Sequence, residues 1–190
     1  MFEEDEEESS IFEEKKEKEG PSVAKRVACI IVAVALIGSI VLPWVTIDLA
    51  SLGMDPGDLS SLESMLETNL GITVENHKVS LNLIDFYRIT EFLASDPFDV
   101  LDPGMEEIIT YINYGIMLIL GMICFAALLA IFTKPGLASS IGLSLGIGVY
   151  FIFTQYIQGN PMIPVAITLG YGVYALIAAG VLGIISRFIK

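Results

Sequence analysis

Val27–Leu42 reads VACIIVAVALIGSIVL, and this stretch decides how the rest of the chain is interpreted. It contains no charged residue and no amide, and Ser39 is its only hydroxyl side chain. Lys25 and Arg26 stand just before it. At 1.5 Å per residue, a helix over residues 23–44 is roughly 33 Å long, which matches the hydrocarbon core of a bilayer. A helix in a water-soluble protein needs a polar face, so the stretch predicts a first membrane-spanning helix over residues 23–44.

Three further apolar runs follow it. The chain is 54% hydrophobic with a mean hydropathy of +0.69, which is too apolar for an ordinary soluble domain. The runs predict membrane-spanning helices over residues 108–132, 137–157 and 164–189. The connections between them, Thr133–Gly136 and Gln158–Pro161, contain Pro and Gly and are short enough for tight reversals.

Residues 45–107 form the one long polar insertion between these runs. Apolar and polar residues alternate along Val45–Ala50, which is the period of a strand. Two amphipathic helices are expected over Leu59–Leu70 and Phe86–Ala94, with a hairpin turn at Glu75–Lys78 between them. The predicted fold class is therefore an all-α integral membrane four-helix bundle, with a small extracytoplasmic α+β domain inserted between helices 1 and 2.

The basic residues predict the orientation in the membrane. Eight of the ten Lys and Arg residues lie in the N-terminal segment, in the turn at Lys134 or at the C-terminal end, and only Lys78 and Arg88 lie in the insertion. Loops rich in Lys and Arg stay in the cytoplasm. We therefore expect a multi-pass protein of the cell membrane with both termini cytoplasmic. Trp44 and three tyrosines fall at the outer span ends, where aromatic rings favour the membrane interface.

The first 22 residues are predicted to be an acidic cytoplasmic tail. Ten of the 23 acids lie before Gly20, and such a segment cannot bury enough apolar surface to offset the entropy of ordering. Phe12 and its apolar neighbours leave open that the tail docks a partner. Because a long acidic tail precedes the first apolar run, that run is expected to be a retained anchor and not a cleaved signal peptide.

Composition and motifs exclude several functional classes. A formal net charge of −13 does not suit binding to nucleic acid. Cys29 and Cys124 lie within apolar runs and are expected to be packed thiols, and a single histidine, His77, does not make a zinc site. No phosphate-binding loop or nucleophile motif is present, so no catalytic residue, cofactor or metal is predicted. The acidic run from Asp96 to Glu107 lacks the spacing of a calcium loop and is expected to be a solvated collar.

Proton- and ion-coupled transporters place ionisable groups at mid-membrane, and the predicted spans have none there. A passive path for a neutral solute, in a transporter or channel subunit, is the alternative function that the sequence leaves open. Asn113, Ser144, Thr154 and Gln155 are the polar side chains that would line it.

Small residues recur every four positions in the third and fourth runs. Gly142 and Gly146 form one such row, and Ala175, Ala179 and Gly183 form the other. In lipid, rows of this kind let helix backbones approach closely. They are expected to pack the helices within one chain, or alternatively against another subunit in a homo- or hetero-oligomer.

The layout of the chain resembles the claudin and peripheral-myelin-protein tetraspan superfamily. The likeness consists of four spans, cytoplasmic termini, a large first outer loop entered by a strand directly after span one, and a short second outer loop. Leu42-Pro43-Trp44 and the helix over Asp85–Ser95 add to it, whereas the outer loop has no Cys and no second Trp. The resemblance implies a scaffold or adhesion role in the membrane.

The expected function is therefore non-enzymatic, that of a structural or accessory subunit in the lipid bilayer. A membrane or extracytoplasmic protein partner would bind to the outer domain or to the helix faces. A domain of about 60 residues has little core of its own, so an apolar face on it seeks the bundle or a partner. The predicted partner-binding residues are Phe86, Ile89, Phe92 and Leu93, which share one face of the second outer helix.

Overall fold

A computed structural model describes residues 22–95, 103–132, 135–158 and 166–188. The helices, in chain order, are α1 (Val23–Val41), α2 (Pro56–Leu70), α3 (Leu83–Ala94), α4 (Pro103–Ile131), α5 (Pro135–Ile152) and α6 (Tyr171–Ser186). The strands are β1 (Val45–Asp48), β2 (Val74–Glu75), β3 (Lys78–Leu81) and β4 (Ala166–Leu169). A 3₁₀ turn, Leu49–Leu52, follows β1, and a π-helical turn, Phe153–Ile157, extends α5. The predicted N-terminal tail and most of the acidic run lie outside the described residues.

Three helical segments are long and apolar enough to cross a membrane. They are Val23–Val41, Gly104–Ile131 and Gly136–Ile157. Helix α6 is also apolar, but it has 16 residues and so a length of about 24 Å. The chain is thus mostly helical, with three candidate membrane-spanning helices and one small antiparallel sheet.

The four apolar helices pack in a ring. Helix α1 lies against α4 and α6, and α5 lies against the same two helices on the other side. Side chains from all four meet in one shared core, and Leu36, Ile123 and Leu176 are its largest fully buried members. No Asp, Glu, Lys, Arg or His takes part in this core among the described residues.

The sheet pairs a strand that follows the first apolar helix, β1, with a strand that precedes the last apolar helix, β4. Its strand order is β2-β3-β1-β4, with every neighbouring pair antiparallel. Val45 on β1 lies opposite Leu81 on one side and Leu169 on the other. The predicted hairpin is confirmed, with Asn76 and His77 at positive φ in its two-residue turn.

Helices α2 and α3 cover the apolar face of this sheet, and their termini follow from local sequence. Pro56 opens α2, and Gly71 ends it in the left-handed conformation that glycine adopts without steric cost. Asn82 and Asp85 form a reciprocal capping box that starts α3. The two amphipathic helices that the sequence predicts in the outer domain are therefore confirmed.

The structure corrects the predicted fourth span. A helix was expected over residues 164–189, but Ala166–Leu169 is the strand β4 and the helix begins at Tyr171. The reason is tertiary, because β4 completes the sheet by pairing with β1. The sheet domain is consequently not a pure insertion of residues 45–107, since one strand comes from the connection between α5 and α6.

One other helix boundary differs from the prediction, and one is confirmed. Helix α1 ends at Val41 and not at residue 44, because Leu42 precedes a proline and is extended. Helix α4 begins at Pro103, as the Asp102-Pro103 pair and the two glutamates that follow it predict, and its first turns precede the apolar span 108–132.

Candidate functional site

Trp44 lies at the junction between the helices and the sheet. It is only 3% exposed, and its Nε1 donates a hydrogen bond of 2.6 Å to the backbone carbonyl of Ser39. The sequence predicts that this ring lies at the membrane interface. The structure shows that it is buried in the shared core and lies against Gly172 in the first turn of α6.

Two glycines make this turn possible. Gly170 N–H donates to Trp44 O at 2.8 Å, and Gly172 N–H donates to Pro43 O at 2.7 Å. A Cβ on Gly170 would overlap the Pro43 carbonyl, and one on Gly172 would overlap the indole of Trp44. The start of α6 is therefore held directly against the end of α1. The strands next to these two helix ends, β4 and β1, pair with each other in the sheet.

The predicted partner face on α3 divides into a covered part and an open part. Phe86, Ile89 and Phe92 are half-buried and pack against the core between α2, α3 and the sheet. Leu93 is 37% exposed. Of the four predicted residues, Leu93 is thus the one that offers apolar surface to a partner. The core that covers the others is formed by Leu49, Leu70, Ile72, Val79 and Leu81.

Phe86 also touches the shared core of the four helices, so its ring connects the two apolar clusters. Beside it, Thr90 Oγ1 lies 3.4 Å from Asn113 Oδ1 and links α3 to α4. The sheet domain is therefore attached to the helices at two places, through the Trp44 junction and through α3.

Of the predicted packing glycines, Gly146 lies at the contact between α5 and α6, and Gly142 lies where α5 meets both α1 and α6. A Cβ on Gly146 would stand 2.6 Å from Ile177 Cγ1, and one on Gly142 would stand 3.0 Å from Leu36 Cδ2. Ala179 and Gly183 are buried on the opposing helix, whereas Ala175 is only partly so. The closest approach to the backbone of the opposing helix involves Gly180, whose Cβ would stand 2.8 Å from the backbone nitrogen of Leu143. Gly180 was not among the residues singled out from the sequence, although a glycine inside an apolar helix is itself a packing signal.

The four polar residues of the alternative solute path are not part of the shared core. Asn113 contacts Thr90, and the hydroxyl of Thr154 donates to the carbonyl of Tyr150 in its own helix. Ser144 and Gln155 are exposed. These positions do not by themselves define a lined path through the helices.

Few side chains in the described part of the chain are arranged for chemistry. His77 Nδ1 lies 2.7 Å from Glu63 Oε1, which ties the hairpin turn to α2. Among the described residues there is no group of three or more His, Cys, Asp and Glu side chains that could hold a metal ion. Cys29 is buried and Cys124 is exposed, and both are free thiols.

The open face of the sheet is polar. Thr46, Ser80 and Thr168 stand opposite one another on β1, β3 and β4, and the hydroxyls of Thr46 and Ser80 are 3.1 Å apart. A groove of about 600 Å³ lies over this face and under the segment that leads into β2. We call it the polar groove. Its lining is Thr46, Gly71, Ile72, Thr73, Glu75, Asn76, Lys78, Ser80, Asn82 and Asp85.

Charge is segregated between the two ends of the molecule. Lys25 and Arg26 begin α1 and Arg187 follows α6, so these cations lie at the end remote from the sheet. Residues 45–95 carry eight carboxylates but only two cations. The sheet domain is therefore an acidic body fixed to an uncharged helical core.

Comparison of the chain with family models, with curated proteins and with solved structures finds no match.

Proposed function

We propose that the chain is a non-enzymatic, four-span membrane protein that holds a protein partner on its acidic sheet domain. It would act as an accessory subunit or scaffold of the cell membrane. This is also the role that the layout resemblance to the claudin superfamily implies. In this proposal α6 is the fourth span, and its shorter apolar length is accommodated by local thinning of the bilayer or by less tilt.

The observation that carries the proposal is the way the sheet is joined to the helices. Three residues separate the end of α1 from β1, and one residue separates β4 from the start of α6. The two strands pair with each other. A partner bound to the sheet would therefore be held in a fixed orientation relative to the membrane spans. An enzyme would need a group of converging reactive side chains, and a coupled transporter would need mid-membrane charges.

The topology of the proposal places both termini in the cytoplasm and the sheet domain outside. Single cysteines at Ser64, which is exposed on α2, and at Ser9 test it in a chain that lacks Cys29 and Cys124. An impermeant thiol reagent applied to intact cells should label Ser64→Cys and not Ser9→Cys. Labelling of Ser9→Cys alone would show that the chain has the opposite orientation in the membrane.

The partner is tested by comparing two variants of α3. Leu93→Asp alters an exposed side chain, so it should reduce the yield of a partner cross-linked in intact membranes without changing the protease resistance of the sheet domain. Phe92→Asp buries a charge against the domain core and should unfold that domain, which makes it protease-sensitive. The proposal fails if no protein is cross-linked to the sheet domain of the native chain.

A further inference from the structure

We infer that the polar groove binds an extended, positively charged segment of a protein partner. This inference rests on the proposed function, because it names the chemistry of the partner and the place where it binds. It depends on three observations, which are the shape of the groove, the free charges along it, and the acidity of the domain that carries it.

The floor of the groove is a strand. Lys78, Ser80 and Asn82 alternate on one face of β3 and its continuation, and all three line the groove. Four strand residues extend about 14 Å, so the floor is long enough for about four residues of an extended chain lying along it. The volume of the polar groove, about 600 Å³, falls within the range of ordinary ligand sites.

The lining offers hydrogen-bonding side chains and no aromatic ring. Hydroxyls from Thr46, Thr73 and Ser80 occupy the middle of the groove, and carboxylates from Glu75 and Asp85 stand toward its two ends. Such a surface suits a ligand that is itself rich in hydrogen-bond donors. Backbone amides and the side chains of Lys and Arg are donors of this kind.

The charges at the β2 end of the groove are not used by the fold. Glu75 and Lys78 are directly opposite on β2 and β3, yet neither belongs to an ion pair within the described residues. Asp85 has one oxygen committed, because Oδ2 accepts the Asn82 N–H at 3.0 Å. Glu75, Lys78 and the second carboxylate oxygen of Asp85, farther along the groove, are thus presented to a ligand, and their net negative charge favours a cation.

The surrounding charge points in the same direction. Eight carboxylates and two cations within residues 45–95 produce a negative potential that attracts a basic segment and raises its association rate. An acidic segment would be repelled by the same field. A neutral sugar would be indifferent to it and would bind through the hydroxyls alone.

The edge strand of the sheet, β2, has only two residues, and one of its backbone donors is already used. The N–H of Val74 on β2 donates to Glu67 Oε1 at 3.4 Å, which occupies the outward-facing position of this short edge strand. The basic segment is therefore recognised by side chains of the open face, and not by backbone pairing.

The test uses the full-length chain in micelles of an uncharged detergent. The probe is an octapeptide of lysine with a photo-reactive group at its centre, and the measured quantity is the yield of cross-links to residues 71–85 as peptide concentration rises. Mapping the cross-links by mass spectrometry separates the groove from the acidic N-terminal tail, which would also attract the peptide. Octapeptides of glutamate and of alternating glycine and serine are the ligand controls.

Three substitutions have different expected signs. Glu75→Gln should weaken binding at the groove roughly two- to fivefold, which is the effect of one exposed ion pair. Lys78→Gln should strengthen it by about the same factor, because a repulsive charge is removed. Asp55→Asn is the matched control, since Asp55 is an exposed carboxylate of the same domain outside the groove and makes no side-chain cap hydrogen bond. It should leave the groove affinity unchanged within twofold.

The inference is overturned if the neutral peptide cross-links to residues 71–85 as well as the lysine peptide does, or if none of the peptides does. It is also overturned if Asp55→Asn weakens the cross-link as much as Glu75→Gln, because only the overall field would then matter. A partner that remains cross-linked to the Glu75→Arg chain would refute the groove and leave the proposed function intact. Absence of any partner on the native chain, with the lysine peptide still bound, would refute the proposed function alone.

Discussion

The helices and the sheet domain of this chain expose different kinds of side chain, because each region is suited to a different solvent. The helices expose many large apolar side chains such as Leu118 and Phe125, and they bury small ones such as Ala126 and Ala130 among the few large ones in their core. The sheet domain buries a few large apolar residues and exposes its charges. The first arrangement suits a lipid solvent, where close packing of small residues drives association, and the second suits water. The junction at Trp44 is the place where both arrangements meet.

Removing the junction side chain should have the largest effect on this contrast. Trp44→Ala is expected to destabilise the chain by about 3–5 kcal/mol, because a fully buried indole is lost and a cavity remains. Amide hydrogen exchange followed by mass spectrometry should show faster exchange in β1, β4 and the first turn of α6. The contact between α4 and α5 lies elsewhere and should keep its protection. Uniform loosening of all helices would show that the two regions are not separable at the junction.

Overfilling the same junction should have a smaller but directional effect. Gly172→Val places a side chain against the indole of Trp44 and should cost about 1–3 kcal/mol. Trp44 is the only tryptophan of the chain, so its fluorescence reports on this site alone. We expect a red-shifted emission maximum, since the displaced ring gains contact with water. An unchanged spectrum together with unchanged stability would contradict the close approach of α6 to α1.

The contrast can be sharpened within a single helix. Gly146 and Gly148 are two residues apart in α5, but only Gly146 lies against α6, whereas nothing stands within 4 Å of a Cβ on Gly148. Gly148→Ala should stabilise the chain by about 0.5–1 kcal/mol through helix propensity. Gly146→Ala gains the same propensity but must displace Ile177, so we expect a net loss of about 1 kcal/mol. Thermal unfolding in detergent micelles measures both, and equal shifts would show that the α5–α6 contact is looser than described.

The sequence predicts the helical part of this molecule well because its signal is local. Apolar runs without charge, bounded by basic residues, prolines and glycines, identify α1, α4 and α5 without any tertiary information. The capping and hairpin signals in the sheet domain are also local. Boundaries within three to five residues follow from the same signals.

The features that the sequence does not predict depend on contacts between residues that are distant in the chain. Ala166–Leu169 is a short apolar run continuous with the helix that follows, and periodicity alone does not separate a short buried strand from a helix. Its partner β1 lies far earlier in the chain, so only the fold shows that Val45 and Leu169 are neighbours. The burial of Trp44 could not be predicted for the same reason, because Gly172, which lies against its ring, is on α6.

The polar groove could not be predicted from the sequence either. Apolar and polar residues alternate along Val79–Leu83, which is the period of a strand. Its meaning as the floor of a groove requires the register that brings Thr46 and Glu75 beside it. The predicted partner face on α3 was visible as an apolar stripe, but a stripe does not say whether it faces the domain's own core or a partner.

The smallest expected effect concerns the hydrogen bond between His77 and Glu63, which is the one close contact between a basic and an acidic side chain in the described residues. His77 is more than half exposed, so solvent screens the contact, and Glu63→Ala should cost about 0.2–1 kcal/mol. His77→Ala should cost at least as much, because alanine tolerates the positive φ of the turn less well than histidine. A double-mutant cycle isolates the side-chain contact from this backbone term, and the coupling energy should stay below about 1 kcal/mol. A small coupling would mean that the sheet domain depends on its apolar core and on the Trp44 junction, with surface charge left free for binding. A coupling of several kcal/mol would instead make the hairpin turn a structural element of its own, and the separation between a packed core and an acidic recognition surface would no longer hold.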